Sequence, residues 1–405
     1  MATTSTFGMR IARGLIRQSA ISTLHQAIAF DAVDQISGAD AVAWRRMFLR
    51  HAQVFALGAD APDVDFRDFK NHLLFPADNF WGGAQGKAQC WYRNLVTALQ
   101  KREWQNATYC AGVLSHYLAD AAHPLHTAQS QADNDIYAAL NFCAWQSYRG
   151  LCERAGTLAA LATVPQTSGE RNLDRLLRAS ATAAHAQYGP LLAHFDLRRA
   201  LENPADGLDV EGYDIMAVAL ASAVMLVATV LDAALTEAAV EAPKGGLSTR
   251  ALQGAVAVPL TAFSNWHHRA AVGRALAAMK TEFLASGHLE ATLPDEVRVK
   301  RDAYAKEVLG EGAAVPAAAS ALGDNVVVFA PARTASPPRE NDGEKEADVI
   351  DLKRQRRVVE RPRPAPRKSA TEPIRIRSDV NRQIGDELAA ASQSLLGTGT
   401  KMPAA

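Results

Sequence analysis

The chain has 405 residues, 48% hydrophobic and 21% charged, which is a globular composition long enough for a sizeable core, a second folded unit and a tail. Its 43 Lys and Arg balance 43 Asp and Glu, so net charge gives no whole-chain basis for binding nucleic acid. The four cysteines (Cys90, Cys110, Cys143, Cys152) form no Cys-x2-Cys pair, which argues against a cysteine-built structural zinc site and points to reduced thiols in a cytoplasm.

Abundant alanine and few β-branched runs predict an all-α fold. Residues 1–20 carry Arg10, Arg13 and Arg17 with no uninterrupted apolar core, so they read as an N-terminal extension rather than a secretory signal. Residues 21–36 predict an amphipathic helix, opened by a capping box of Thr23 and Gln26 that puts His25 in the first turn. Residues 40–57 predict a second helix. Residues 58–86, rich in Gly, Pro, Asp and Asn, predict a long functional loop serving as lid or pocket wall. Helices follow over 87–101 and 104–122, then one long or broken helix over 132–162, another over 170–196, and a strongly apolar one over 212–241. The last lacks charge from Ile215 to Leu231, and a buried central helix is favoured over a membrane span.

After Pro243-Lys244-Gly245-Gly246 a small helical domain is expected over 247–312, with Trp266, Phe283 and Leu284 as anchors and no recognisable chemistry. His267 and His268 are adjacent and point apart on a helix, which suits a surface pair better than a chelate. Residues 313–382 read as a disordered linker, strongly basic over 353–377 and able to touch an anionic membrane surface, or to act as a plain spacer. Residues 383–397 predict a short terminal helix. The whole reads as cytoplasmic, with the basic tail able to bring it to a membrane.

The densest chemistry lies in His116-Tyr117-Leu118-Ala119-Asp120, followed by Pro124-Leu125-His126. His116 and Asp120 stand four apart and share one helix face. Pro124 redirects the chain so that His126 approaches the same pocket from another direction. Imidazole and carboxylate together suit zinc. Asp63 follows Pro62 in the predicted loop, and His72 stands alone nearby. His51, His185, His194 and His288 read as ordinary core or surface residues, and so does His123, which sits beside the motif with no obvious role but is placed to donate to a substrate oxygen.

The order His25, Asp63, His72, His116-x3-Asp120, Pro-Leu-His126 resembles the zinc-dependent phospholipase C family, which is related to fungal zinc-dependent single-strand nucleases. The resemblance implies a multi-helix domain over 21–243 that hydrolyses phosphodiester bonds with zinc-activated water, most plausibly in a phospholipid. It implies metal ligands at His25, Asp63, His72, His116, Asp120 and His126, and one to three zinc ions, two being expected. Asp63 would be a ligand or the base acting on water, and Asp120 a bridge between ions. The sequence departs from the family pattern twice. No tryptophan precedes His25, and no histidine lies between His126 and His185, so the His-x3-Glu or His-x3-Asp pair expected on the next helix is missing. One register puts Tyr137 and Asn141 there, another Phe142 and Gln146. Two other readings follow: a non-catalytic zinc-binding member acting as an adaptor, and a nuclease, which neutral charge disfavours.

Overall fold

Thr23 sets the first helix. Its side chain accepts from the Gln26 backbone while the Gln26 side chain accepts in return, so α1 (Leu24–Gln35) starts with His25 in its first turn. This computed structural model describes residues 21–38, 40–158, 170–244 and 273–310, which fall within one compact unit, Met1–Val349. Among them there is no strand, only two isolated bridges. The fold is all-α.

The helices continue with α2 (Ala41–Arg50), α3 (Ala52–Ala61), α4 (Ala84–Gln100), α5 (Trp104–Ala121), α6 (Gln131–Gln146), α7 (Tyr148–Leu158), α8 (Glu170–His185), α9 (Tyr188–Ala193), α10 (Leu197–Glu202) and α11 (Val210–Ala238). Beyond residue 272 come α12 (273–286) and α13 (Asp295–Tyr304). The expected extension 1–20, the linker 313–382 with its basic stretch 353–377, the terminal helix 383–397, and Trp266, His267 and His268 all lie outside the described residues.

The predicted loop over 58–86 is half wrong. Helix α3 runs on to Ala61 and passes into one π turn, Pro62–Phe66, which ends at Arg67 with φ of 50°. Gly58 is therefore a packing glycine. A Cβ there would lie 2.4 Å from the Tyr109 carbonyl, and one on Gly112 would lie 2.4 Å from the Phe55 carbonyl. These two glycines let α3 and α5 touch backbone to backbone. Short 3-10 turns at Phe69–His72 and Pro76–Asp78 complete the segment.

Helix α11 packs its apolar length against α1, α4, α5, α7 and α8, with Met225 left exposed. Helix α13 packs on the 69–81 segment. Leu73 and Phe75 form a small core with Tyr304, flanked by Trp81, Val308 and Leu309. Polar ties surround it: Tyr304 donates to Asp78 at 3.1 Å, Trp81 Nε1 to Glu307 at 3.1 Å, and Arg67 pairs with Asp295 at 2.8 Å.

Candidate metal centre

Helix α5 is buried from Ala107 to Ala121 because neighbouring helices enclose it, so the side chains it turns inward meet no bulk water. Two of these are His116, 0% exposed, and Asp120, 1% exposed, one turn apart. Four further donors reach them from separate elements. His25 comes from the first turn of α1, Asp63 from the π turn, His72 from the 69–72 turn, and His126 from the short turn that Pro124 opens. The structure thus brings together all six residues singled out in the sequence.

Asp120 divides the cluster. Its Oδ2 lies 3.0 Å from His72 Nδ1 and 3.3 Å from His116 Nε2. Those two nitrogens are 3.1 Å apart, and each lies 3.6 Å from Asp63 Oδ1. On its other side, Asp120 Oδ1 lies 3.5 Å from His25 Nε2 and 3.6 Å from His126 Nδ1. Ligand atoms on a tetrahedral zinc with bonds of about 2.0–2.1 Å stand roughly 3.3 Å apart. The separations around Asp63, His72, His116 and Asp120 bracket that value. Asp120 Oδ2, though close to two imidazoles, has no hydrogen-bond partner, and neither do the buried His25 Nδ1 and His72 Nε2. Of these, Asp120 Oδ2 is the one that faces the cluster, and with His72 Nδ1, His116 Nε2 and Asp63 Oδ1 around it the donor set fits a zinc ion.

The supporting contacts select the right nitrogens. His116 Nδ1 lies 2.7 Å from the Ala59 carbonyl, which can only accept, so that nitrogen donates and Nε2 keeps its lone pair for the cluster. His72 turns Nε2 toward Asp68 Oδ1 at 3.5 Å and Nδ1 inward. Asp68 is anchored by Tyr117 at 3.0 Å and Lys87 at 2.8 Å. Charge follows geometry. Burial would favour a neutral Asp120, but the imidazoles packed around it, with His116 raised and hydrogen-bonded to it, hold its carboxyl well below the usual range. Burial also opposes charge on His72, yet Asp120 and Asp68 push it up to about 10. His25 is pushed down to about 3 by burial and by His116, and burial drives His126 down too. Asp63 is raised by burial against the pull of His116.

The cluster opens into a cleft of about 340 Å³. Asp63, Asp120, His123, His126, Tyr137 and Glu296 lie at its polar end; Leu24, Ile28, Phe142, Trp145, Leu276 and Met279 form an apolar wall. No Lys or Arg lines it among the described residues. His123 Nδ1 accepts from the Leu125 backbone at 3.2 Å, which puts its proton on Nε2, where no partner meets it. Of the two registers considered for α6, Tyr137 and Asn141 both line the cleft, as does Phe142, but Gln146 does not. Tyr137 Oη meets His126 Nε2 at 3.0 Å.

Sequence reasoning saw no chemistry beyond residue 247, yet Glu296 and Lys300 of α13 stand at this site. Glu296 is partly enclosed, its side chain 18% exposed; desolvation opposes ionisation, but the Lys300 ammonium holds it down to about 2. On α13, Glu296, Lys300 and Tyr304 fall on one face with Val297 beside them. In the sequence the first two look like any exposed i,i+4 ion pair. Nothing local marks Lys300 as buried or Glu296 as partly enclosed.

A family model described as zinc dependent phospholipase C matches residues 24–182, the segment that carries all six donors. That is the family the motif order resembles, and the resemblance holds over this segment. No curated protein matches the chain.

Proposed function

We propose that this protein is a zinc-dependent hydrolase of phosphodiester bonds whose substrate is a phospholipid rather than a nucleic acid. The observation that carries this reading is the Asp120-centred cluster opening onto a cleft with an apolar wall and no cationic lining. Zinc, when bound, supplies charge against the phosphate and lowers the pKa of water toward neutrality. Asp63, His72 and His116 lie close enough together to hold one ion, with Asp120 Oδ2 beside them, and His25, His116 and Asp120 form a second such group; His126 Nδ1, 3.6 Å from Asp120 Oδ1, would add a donor on that side. Asp63 has a side chain 38% exposed and lines the cleft, which suits it to take the proton of the attacking water. His123 lines the cleft with an unpartnered Nε2–H, which would donate to a phosphate oxygen that reached it. The apolar wall suits a lipid's acyl-bearing side and offers nothing to a polyanion.

The missing His-x3-Glu pair favours a second reading, a non-catalytic zinc-binding adaptor that meets membranes or partners through its basic tail. One experiment decides. Full-length protein loaded with zinc is assayed on phospholipid vesicles, single-stranded DNA and RNA, beside Asp120→Ala. Phospholipid turnover that disappears in the variant supports the proposal. Turnover of nucleic acid alone would make it a nuclease, and none on any substrate would leave the adaptor.

A further inference from the structure

Helix α13 lies beyond the segment matched by the family model, yet it closes the second half of the donor cluster. The contacts around Tyr137 leave one consistent placement of protons. Its hydroxyl touches three groups: Glu296 Oε1, Lys300 Nζ at 3.0 Å and His126 Nε2 at 3.0 Å. A tyrosine hydroxyl has one proton and two lone pairs. Glu296, ion-paired with Lys300, is a carboxylate and can only accept, so it takes the tyrosine proton. The Lys300 ammonium can only donate, and it fills one lone pair. The remaining lone pair faces His126 Nε2, so that nitrogen carries its proton and donates.

His126 Nδ1 is then bare. It lies 3.6 Å from Asp120 Oδ1 and 3.4 Å from the His72 carbonyl oxygen. Both neighbours of Nδ1 are acceptors, but they are distant, the carbonyl at the long limit of a hydrogen bond, whereas the Nε2 contact with Tyr137 is 3.0 Å. The ring proton goes to the shorter contact, and the Nδ1 lone pair left among two oxygens is a place that a cation stabilises. The opposite tautomer would leave Glu296 and His126 Nε2 competing for the single tyrosine proton. A doubly protonated ring would set a second buried cation beside Lys300, itself 3% exposed.

We infer that Glu296 and Lys300 act through Tyr137 to fix His126 as its Nε2–H tautomer, making Nδ1 a ligand for a divalent cation shared with Asp120. Glu296 thereby supplies, from a helix more than a hundred residues away, support that this chain lacks on α6. Glu296, Lys300 and Tyr137 are positioning residues. The inference rests on the zinc site proposed above.

The test combines three readouts on full-length protein: zinc per chain by elemental analysis, zinc affinity by chelator competition, and ring ¹⁵N shifts of His126 in the zinc-free protein, assigned by their loss in His126→Gln. The wild-type ring is expected to carry its proton on Nε2. Tyr137→Phe and Glu296→Gln are expected to weaken the second zinc by about 10- to 100-fold, the usual cost of removing an outer partner of a metal ligand. The first zinc and the helical circular dichroism should persist, and Glu296→Asp should restore part of the affinity. A wild-type ring protonated on Nδ1 or on both nitrogens overturns the inference whatever the variants do, as does unchanged affinity in both variants. If His116→Ala also keeps its full zinc, the metal-site reading itself fails. If only the Tyr137 and Glu296 variants do, this inference fails alone.

Discussion

Gly112→Ala should weaken the metal centre without touching a ligand. The new Cβ would stand 2.4 Å from the Phe55 carbonyl and 2.9 Å from the Ala59 nitrogen, where real contacts are essentially never below 3.0 Å. Helices α3 and α5 must therefore separate by about 0.6 Å or bend, and overpacking of this kind costs about 1–3 kcal/mol. For a domain of this size that is a Tm drop of roughly 2–12 °C. The functional cost comes from the same displacement. The Ala59 carbonyl that orients His116 at 2.7 Å belongs to the displaced turn of α3, and the added separation takes the contact toward the limit of a useful hydrogen bond. Zinc affinity should fall by about 10- to 100-fold, as for other outer partners of metal ligands. Thermal melts by circular dichroism and chelator competition measure the two effects. A variant that melts like wild type and binds zinc unchanged would refute the idea that backbone contact between these helices sets the ligand geometry.

Asp120→Ala should remove zinc from both halves of the cluster, because each Asp120 oxygen faces a different pair of imidazoles; elemental analysis showing one full equivalent retained would contradict that role. His123→Ala should keep its zinc but lose about 100-fold in kcat, the scale for deleting one donor to developing charge; unchanged kcat on zinc-loaded protein would remove His123 from the site. Asp133, buried near the start of α6, titrates near 7 when folded, because burial outweighs its hydrogen bond from Ser130, against 3.8 ordinarily. Between about pH 4 and 7 the unfolded chain ionises this group and the fold does not, so it destabilises progressively as pH rises. Asp133→Asn should therefore gain Tm relative to wild type across that window, and a constant difference from pH 4 to 7 would exclude the effect.

What the sequence disclosed and what it hid separate along physical lines. His116 and Asp120 were legible because four residues on a helix fix a shared face, and His25 because a capping box fixes a first turn. Pro124 announced the change of direction that brings in His126. The break at Ser147 between α6 and α7 was left open, since apolar period alone cannot tell a kinked helix from two. Gly58 was misread for a stronger reason. A glycine needed for close helix approach is indistinguishable, in a single sequence, from one that ends a helix, so α3 was stopped a turn short. Glu296 lay further out of reach. Local pattern assigns a charged i,i+4 pair to solvent, and only the long-range contact of α13 with Tyr137 reverses that assignment.

That contact also explains why α13 can matter to more than one ligand. At one end Glu296 and Lys300 meet Tyr137 and, through it, His126. At the other, Tyr304 packs on Phe75 and Trp81, directly after the turn that carries His72. The surface ion pairs along this edge, Arg67 with Asp295 and Lys70 with Glu307, are too exposed to hold the helix by themselves. The aromatic cluster and the buried Lys300 must fix its position instead. A helix so anchored constrains the His72 turn and the His126 ring together. Helix α13 therefore packs beside both halves of the cluster that Asp120 joins.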